Sequence, residues 1–219
     1  GKTEFAALNL KLNADTGFYS FDLKTPGGII ANCKMNYPGL VNVENTIGAS
    51  ALAWLAGASA NAIKAGIEDY KGVARRFDIR YRSENKIYID DYAHHPEELK
   101  AFITSVRALF PDKKLTGIFQ PHLYSRTKDF APEFAQSLDL LDKAILIPLY
   151  PAREEPIPGV SSAIIYKQMK LENKVLVERD KVLKILRADK NEIVLTMGAG
   201  DIDRMVESII QLLKSERND

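Results

Sequence analysis

The only histidines in this chain are His94, His95 and His122, and they fall in two short polar runs. One run is Asp90-Asp91-Tyr92-Ala93-His94-His95-Pro96; the other is Gln120-Pro121-His122-Leu123-Tyr124-Ser125-Arg126-Thr127. An imidazole can take up or release a proton near neutral pH. An arginine fork suits a carboxylate or a phosphate. Together these residues suggest chemistry on a small anion, with no candidate covalent nucleophile beside them. Each has a plainer reading. A single histidine is more often a hydrogen-bonded structural residue, and His94-His95 could simply cap a helix starting at Pro96. Asp90 and Asp91 are either strand-end carboxylates facing water or half of a metal site. Successive strand residues point to opposite faces, which argues against a metal held by both.

A third run, Met197-Gly198-Ala199-Gly200-Asp201, precedes a helical pattern. Glycines before a helix let backbone N–H groups approach a phosphate. Here a third glycine is missing and Asp201 would repel the phosphate, so a sheet-end turn with Asp201 as helix N-cap is the preferred reading. Gly1-Lys2-Thr3 matches the end of a phosphate-binding loop, but a strand-like run follows it where a helix should, and the match is rejected. Arg75-Arg76 would ordinarily be a solvated pair; at a hinge between two domains such an arginine can reach an anion.

The elements that must position these residues alternate in a telling way. Residues 5–12, 18–23 and 29–33, separated by turn-prone segments, read as an antiparallel meander. Two alanine-rich helices follow, the second from about Ser59, its N-cap, to Tyr70. Beyond Arg75-Arg76-Phe77, apolar runs at 87–89, 115–119, 144–147, 175–177 and 193–196 alternate with helical patterns at 96–110, 128–141, 161–169, 180–186 and 201–213. Strands apolar throughout, alternating with helices, predict an α/β domain with a mostly parallel, Rossmann-like sheet covered on both faces. In such sheets ligands bind beyond the carboxyl ends of the strands, where all three polar runs lie. The predicted domains are 1–76, α+β, and 77–219, α/β.

Lys plus Arg number 30 and Asp plus Glu 29, a balance that gives no reason to expect nucleic acid or an anionic membrane as partner. Cys33 is the only cysteine, so no internal disulfide framework is possible, and it reads as a small buried apolar residue. No apolar run approaches the ~20 residues of a membrane helix and no signal peptide is recognised. The expectation is a soluble cytoplasmic protein.

With those motifs in order, the chain resembles the Mur ligases, the ATP-dependent enzymes that build the peptide stem of peptidoglycan. Its strongest matches are Asp91-Tyr92-Ala93-His94-His95-Pro96-Glu97-Glu98, Phe119-Gln120-Pro121-His122 with Tyr124-Ser125-Arg126-Thr127, and Gly198-Ala199-Gly200-Asp201-Ile202. Asn42-Val43-Glu44-Asn45 and Gly72-Val73-Ala74-Arg75-Arg76-Phe77 support them. Within the family it is most similar to members that join L-alanine to UDP-N-acetylmuramate. The resemblance implies that residues 1–76 are the tail of a central ATP-binding domain and 77–219 the C-terminal Rossmann-like domain. It implies that Asn42 and Asn45 contact adenine and that Arg76 and Asp91 hold phosphates and ribose, with Tyr92 and His94 on the same wall. His122 and Arg126 would be the catalytic pair beside alanine and the acyl phosphate, with His95 and the Gly198 turn at the substrate. ATP is the implied cofactor, and magnesium (Mg2+) is expected in the complete enzyme without a ligand assigned here.

The chain departs from the family pattern at Val41, often histidine, and at Leu123, often arginine. A phosphate loop and a UDP-sugar-binding domain are not recognised, so the chain is expected to be a fragment that folds without ligating, its partners including the missing N-terminal and central domains. The alternatives are a related ligase that recycles tripeptides onto the same sugar and a non-catalytic nucleotide-binding module.

Overall fold

The segments that the sequence makes wholly apolar form the centre of a parallel sheet. The computed structural model describes residues 3–13 and 16–215; Gly1 and Lys2 of the Gly-Lys-Thr run, and Ala14 and Asp15 of the first expected turn, lie outside them. The chain divides into two units, residues 1–73 and 74–219, so Arg75 and Arg76 belong to the second.

In the first unit, β1 (Ala6–Leu12), β2 (Phe18–Thr25) and β3 (Gly28–Pro38) pair antiparallel in that order, as the meander reading predicts. Helices α1 (Leu40–Leu55) and α2 (Ala60–Asp69) follow. Ser59 caps α2, its hydroxyl accepting from Ala62 N at 3.2 Å. Phe21, Leu23, Met35, Val43, Ile63 and Ile67 form the core, with Cys33 fully buried among them. This unit also leaves much apolar surface uncovered: Leu52 is 71% and Leu55 77% exposed, and Ile29, Leu40, Val41 and Val73 are exposed too. The second unit, about twice as long, exposes only Leu140 and Leu176 among its described large hydrophobics.

The second unit is a six-stranded sheet of β4 (Asp78–Arg82), β5 (Ile87–Asp91), β6 (Leu115–Phe119), β7 (Lys143–Leu146), β8 (Lys174–Leu176) and β9 (Ile193–Met197). Their order is β4-β5-β9-β6-β7-β8, all parallel except β4. Successive residues serve opposite faces, since Ile87 and Ile89 join one core and Tyr88 the other. Helices α3 (Pro96–Leu109), α5 (Ala131–Leu138) and α6 (Ser162–Gln168) cover the first face, and α7 (Arg179–Ala188) and α8 (Val206–Ser215) the second.

Three expectations change in detail. The sequence reading has no β4, whose residues Asp-Ile-Arg-Tyr-Arg are half exposed at the sheet edge and lack an apolar run. The helix expected at 128–141 begins earlier, as α4 (Tyr124–Asp129), and breaks at Phe130. Pro132 sits in the first turn of α5, where a missing N–H costs no hydrogen bond. The last helix opens with a 3-10 turn at Asp201–Met205. No described helix is long and apolar enough to cross a membrane.

Candidate active site

Strands β5 and β6 lead into helices on one face and β9, between them, into α8 on the other. Such divergence opens the crevices where doubly wound sheets hold nucleotides. Here both are filled by the protein itself. Between β6 and β9 lies Gln120, 2% exposed. Its Oε1 accepts from Ile202 N at 2.9 Å and its Nε2 donates to Asp201 Oδ1 at 2.9 Å. A Cβ on Gly200 would come within 2.5 Å of that Oε1, and one on Gly198, at φ +146°, within 2.8 Å of the Gln120 carbonyl. The glycines therefore serve close packing of loops. Asp201 does not cap the helix as expected: Gly200 holds the N-cap position, and the Asp201 carboxylate is taken by Gln120 and Arg179.

Between β5 and β9 lies Arg75, in the left-handed region at φ +61°. It donates through Nε to Asp90 Oδ2 at 3.2 Å and through Nη2 to the Gly198 carbonyl at 2.6 Å. Asp90 is 1% exposed and also accepts from Thr196 Oγ1 at 2.5 Å; burial pushes its carboxyl up from the usual range. Neither Asp90 nor Asp91 faces water, which corrects that reading of the pair.

With the crevices closed, the open chemistry stands on the α3 side. Tyr92, His94, His122 and Tyr150 form a ladder of rings with centroids 5.2, 5.9 and 5.9 Å apart in turn. The guanidinium of Arg76 lies 5.5 Å from the Tyr92 ring centre, and Arg76 is exposed with no ion pair among the described residues. His94 Nδ1 lies 2.9 Å from the Tyr92 carbonyl. A carbonyl oxygen only accepts, so that contact places a proton on Nδ1, with Glu98 Oε2 3.3 Å from the same nitrogen. His95 holds the N-cap position of α3, and its ring packs on Phe130 at 5.0 Å. Glu98 accepts from the backbone N–H groups of His94 and His95 at 2.9 and 3.2 Å. The structural reading thus describes His95 better than it describes His94.

His122 Nδ1 and Arg126 Nη1 are buried without a hydrogen-bond partner. The one other such side-chain atom among the described residues is Asn191 Oδ1, at the opposite end of the sheet. Buried polar atoms are nearly always paired, so two orphans four residues apart make this stretch the candidate binding site. Burial holds the His122 pKa below the usual value, with Arg126 and His94 adding to the effect. Its ring is therefore neutral at physiological pH, able to accept a proton. Tyr150 and Glu154, from the loop after β7, complete this wall and were missed from sequence. Their signal was position alone, a polar, proline-rich run after the third parallel strand.

Asp91 is 8% exposed. Its carboxylate accepts from Phe77 N at 2.7 Å and Ala93 N at 2.8 Å, so it fastens the chain entering β4 to the end of β5. Burial pushes its pKa up to about 6 from 3.8, against those two N–H groups and Arg76. A carboxyl raised in this way contributes stability below its unfolded pKa and loses it as pH rises through the folded one. Between pH 3.8 and about 6 the loss should approach roughly 3 kcal/mol. Urea unfolding across that range should show Asp91→Asn with a more positive slope of stability against pH than wild type. Equal slopes would remove Asp91 as a proton-linked group.

Asn42 and Asn45 belong to the first unit. Asn42 Nδ2 donates to the Pro38 carbonyl at 2.7 Å and its Oδ1 accepts from Asn45 Nδ2 at 3.3 Å, so both ends of the Asn42 amide serve the start of α1. No group of three His, Cys, Asp or Glu side chains among the described residues could hold a metal ion. Magnesium is therefore assigned no ligand among these residues.

Comparisons with known proteins identify the family to which the chain belongs. The family "Mur ligase, glutamate ligase domain" matches residues 75–200. The UDP-N-acetylmuramate–L-alanine ligase of Parabacteroides distasonis is 46% identical over 96% of this chain and 45% of its own length. That of Phocaeicola vulgatus is 44% identical over 97% of this chain and 46% of its own. The chain thus spans about half the length of the curated relatives it matches. Among solved structures, the UDP-N-acetylmuramate-alanine ligase of Thermotoga maritima shares the fold with TM-score 0.79 at 24% identity, over 98% of this chain and 47% of that one. A MurF ligase of the same organism, solved with ADP, gives TM-score 0.69 at 18% identity, over 97% and 47%. With one family matched across more than half of its residues and the motif-bearing strand ends inside that match, this chain belongs to the Mur ligases.

Proposed function

We propose that this chain is the rear part of a cytoplasmic, ATP-dependent ligase that joins L-alanine to UDP-N-acetylmuramate in peptidoglycan precursor synthesis. The observation that carries the reading is the pair of buried, unpartnered atoms His122 Nδ1 and Arg126 Nη1. An amino acid brings what each lacks: a carboxylate for the guanidinium fork and an amine whose proton a neutral imidazole can take. ATP would phosphorylate the muramic acid carboxylate, releasing ADP. The alanine nitrogen would then attack the acyl carbon, phosphate would leave with the electrons of the broken C–O bond, and the amine proton would pass to His122. The chain's residues align and neutralise, and no side-chain nucleophile is required. Arg76, exposed beside Tyr92, is suited to nucleotide phosphate. Asn45 and the neighbouring Asn42 are assigned to adenine; Asp91, His95 and Gly198 act by holding the loops in place. Magnesium would neutralise phosphate charge in the complete enzyme, and no step here runs through it.

The phosphate loop, the sugar-binding domain and the rest of the central ATP-binding domain are proposed to come from the half of such a ligase that this chain does not span. The uncovered apolar surface of the first unit supports this, since large exposed apolar patches mark interaction sites. Phosphate release dependent on both UDP-N-acetylmuramate and L-alanine tests the reading. It should appear with the full-length gene product and not with residues 1–219 alone. Release unaffected by omitting L-alanine, or a preference for a tripeptide over L-alanine, would overturn the substrate assignment.

A further inference from the structure

We propose that Glu154 is a positioning residue for the amino-acid end of this site: it caps α4 from outside the helix and so sets where His122 and Arg126 stand. The inference rests on the ligase reading for what those two residues do, and on the geometry alone for the cap.

Helix α4 starts without the usual device. Its N-cap residue is Leu123, at φ +73°, whose side chain can accept nothing. The first N–H groups of a helix need acceptors from elsewhere. Glu154, 29 residues further on, accepts from Ser125 N at 2.9 Å and from Ser125 Oγ. Its carboxyl is held below the usual range by the Ser125 hydroxyl, then by the Ser125 N–H, with smaller help from Tyr124 and Arg126. A negative charge there also complements the helix dipole.

The loop that presents Glu154 is registered on the loop that carries His122. Leu123 N donates to the Tyr150 carbonyl at 3.0 Å and Tyr150 N to the Pro121 carbonyl at 2.9 Å, forming a parallel bridge between His122 and Tyr150. Glu154 N then donates to the Pro151 carbonyl at 3.0 Å, turning the carboxylate back on α4. One loop therefore stacks a ring on His122 and anchors the backbone of the helix bearing Arg126. Glu154 makes no ion pair with Arg126, whose Nη1 stays free. An acid that paired with the guanidinium would quench it, whereas one that holds the backbone leaves it open to an anionic ligand.

Amide hydrogen exchange on this chain tests the cap. In Glu154→Ala the Ser125 N–H should exchange about tenfold faster than in wild type, with β5 and β9 unaffected. Glu154→Gln should keep most of the protection, because its amide oxygen still accepts. Steady-state kinetics of the complete ligase test the positioning. Glu154→Ala should raise the KM for L-alanine about tenfold and leave the KM for ATP unchanged, with Glu154→Gln between. Unchanged Ser125 exchange overturns the cap, and a parallel rise in both KM values overturns the positioning role. If the wild-type ligase turns over nothing, the ligase reading fails and the positioning role with it, while exchange still decides whether Glu154 holds α4.

Discussion

In the complete ligase, His122→Ala should lower kcat/KM for L-alanine by about 10²–10⁴-fold while the protein folds almost unchanged. The asymmetry follows from the orphaned Nδ1: removing it breaks no hydrogen bond at that atom. What is lost structurally is ring contact with His94 and Tyr150, a matter of about 1 kcal/mol. The pH profile should carry the same signature. A base must be unprotonated, so activity should fall on acidification, with a midpoint below the ordinary histidine value because burial, Arg126 and His94 all disfavour the imidazolium. Phosphate release at saturating ATP and UDP-N-acetylmuramate, with L-alanine varied, reads both effects. A variant that keeps wild-type kcat/KM would remove His122 from the chemistry. Arg126→Lys is an informative companion, since it keeps the charge and loses the fork.

Arg75→Ala should cost about 3–5 kcal/mol of unfolding free energy, the range for stranding one partner of a buried ion pair. Asp90, 1% exposed, would keep only Thr196 among its side-chain partners, and the Gly198 carbonyl would lose its donor. Arg76→Ala, one residue along, should cost far less, about 1 kcal/mol or below, because Arg76 is exposed, overlies Tyr92 and acts on the Asp91 and Glu98 carboxylates only through space. Urea denaturation of the two variants in parallel reads the contrast. Similar losses in both would mean that Arg76 is held more firmly than its exposure indicates.

Those two arginines show where sequence reading ends. Both are the same residue type in the same short run, and only the folded chain turns one into a crevice filler and leaves the other exposed. The parallel sheet itself was legible, since strands buried on both faces must be apolar, and four such runs, those of β5, β6, β7 and β9, stand out beside the shorter run of the edge strand β8. The meander and the Ser59 cap were legible for similarly local reasons. Strand β4 was not, because an edge strand needs no continuous apolar stretch and Asp78–Arg82 has none. Nor was the break at Phe130, where the helical pattern runs on through a proline. The histidine-bearing loops could be located from spacing, but not the difference between His95, packed on Phe130, and His122, with a free buried nitrogen. The neighbours of His122 could not be read either, since Tyr150, which stacks on its ring, arrives from a loop some thirty residues away.

Gln120 closes its crevice with a primary amide that both gives and receives, toward Asp201 and toward the N–H of Ile202. Shortening it to alanine would leave a hole with the outline and polarity of a small amide, lined by an acceptor at one end and a donor at the other. Dissolved acetamide or propionamide has the shape to refill such a hole. The carboxyl end of this sheet thus has the makings of a chemically rescuable lock, in which a solute stands in for a side chain.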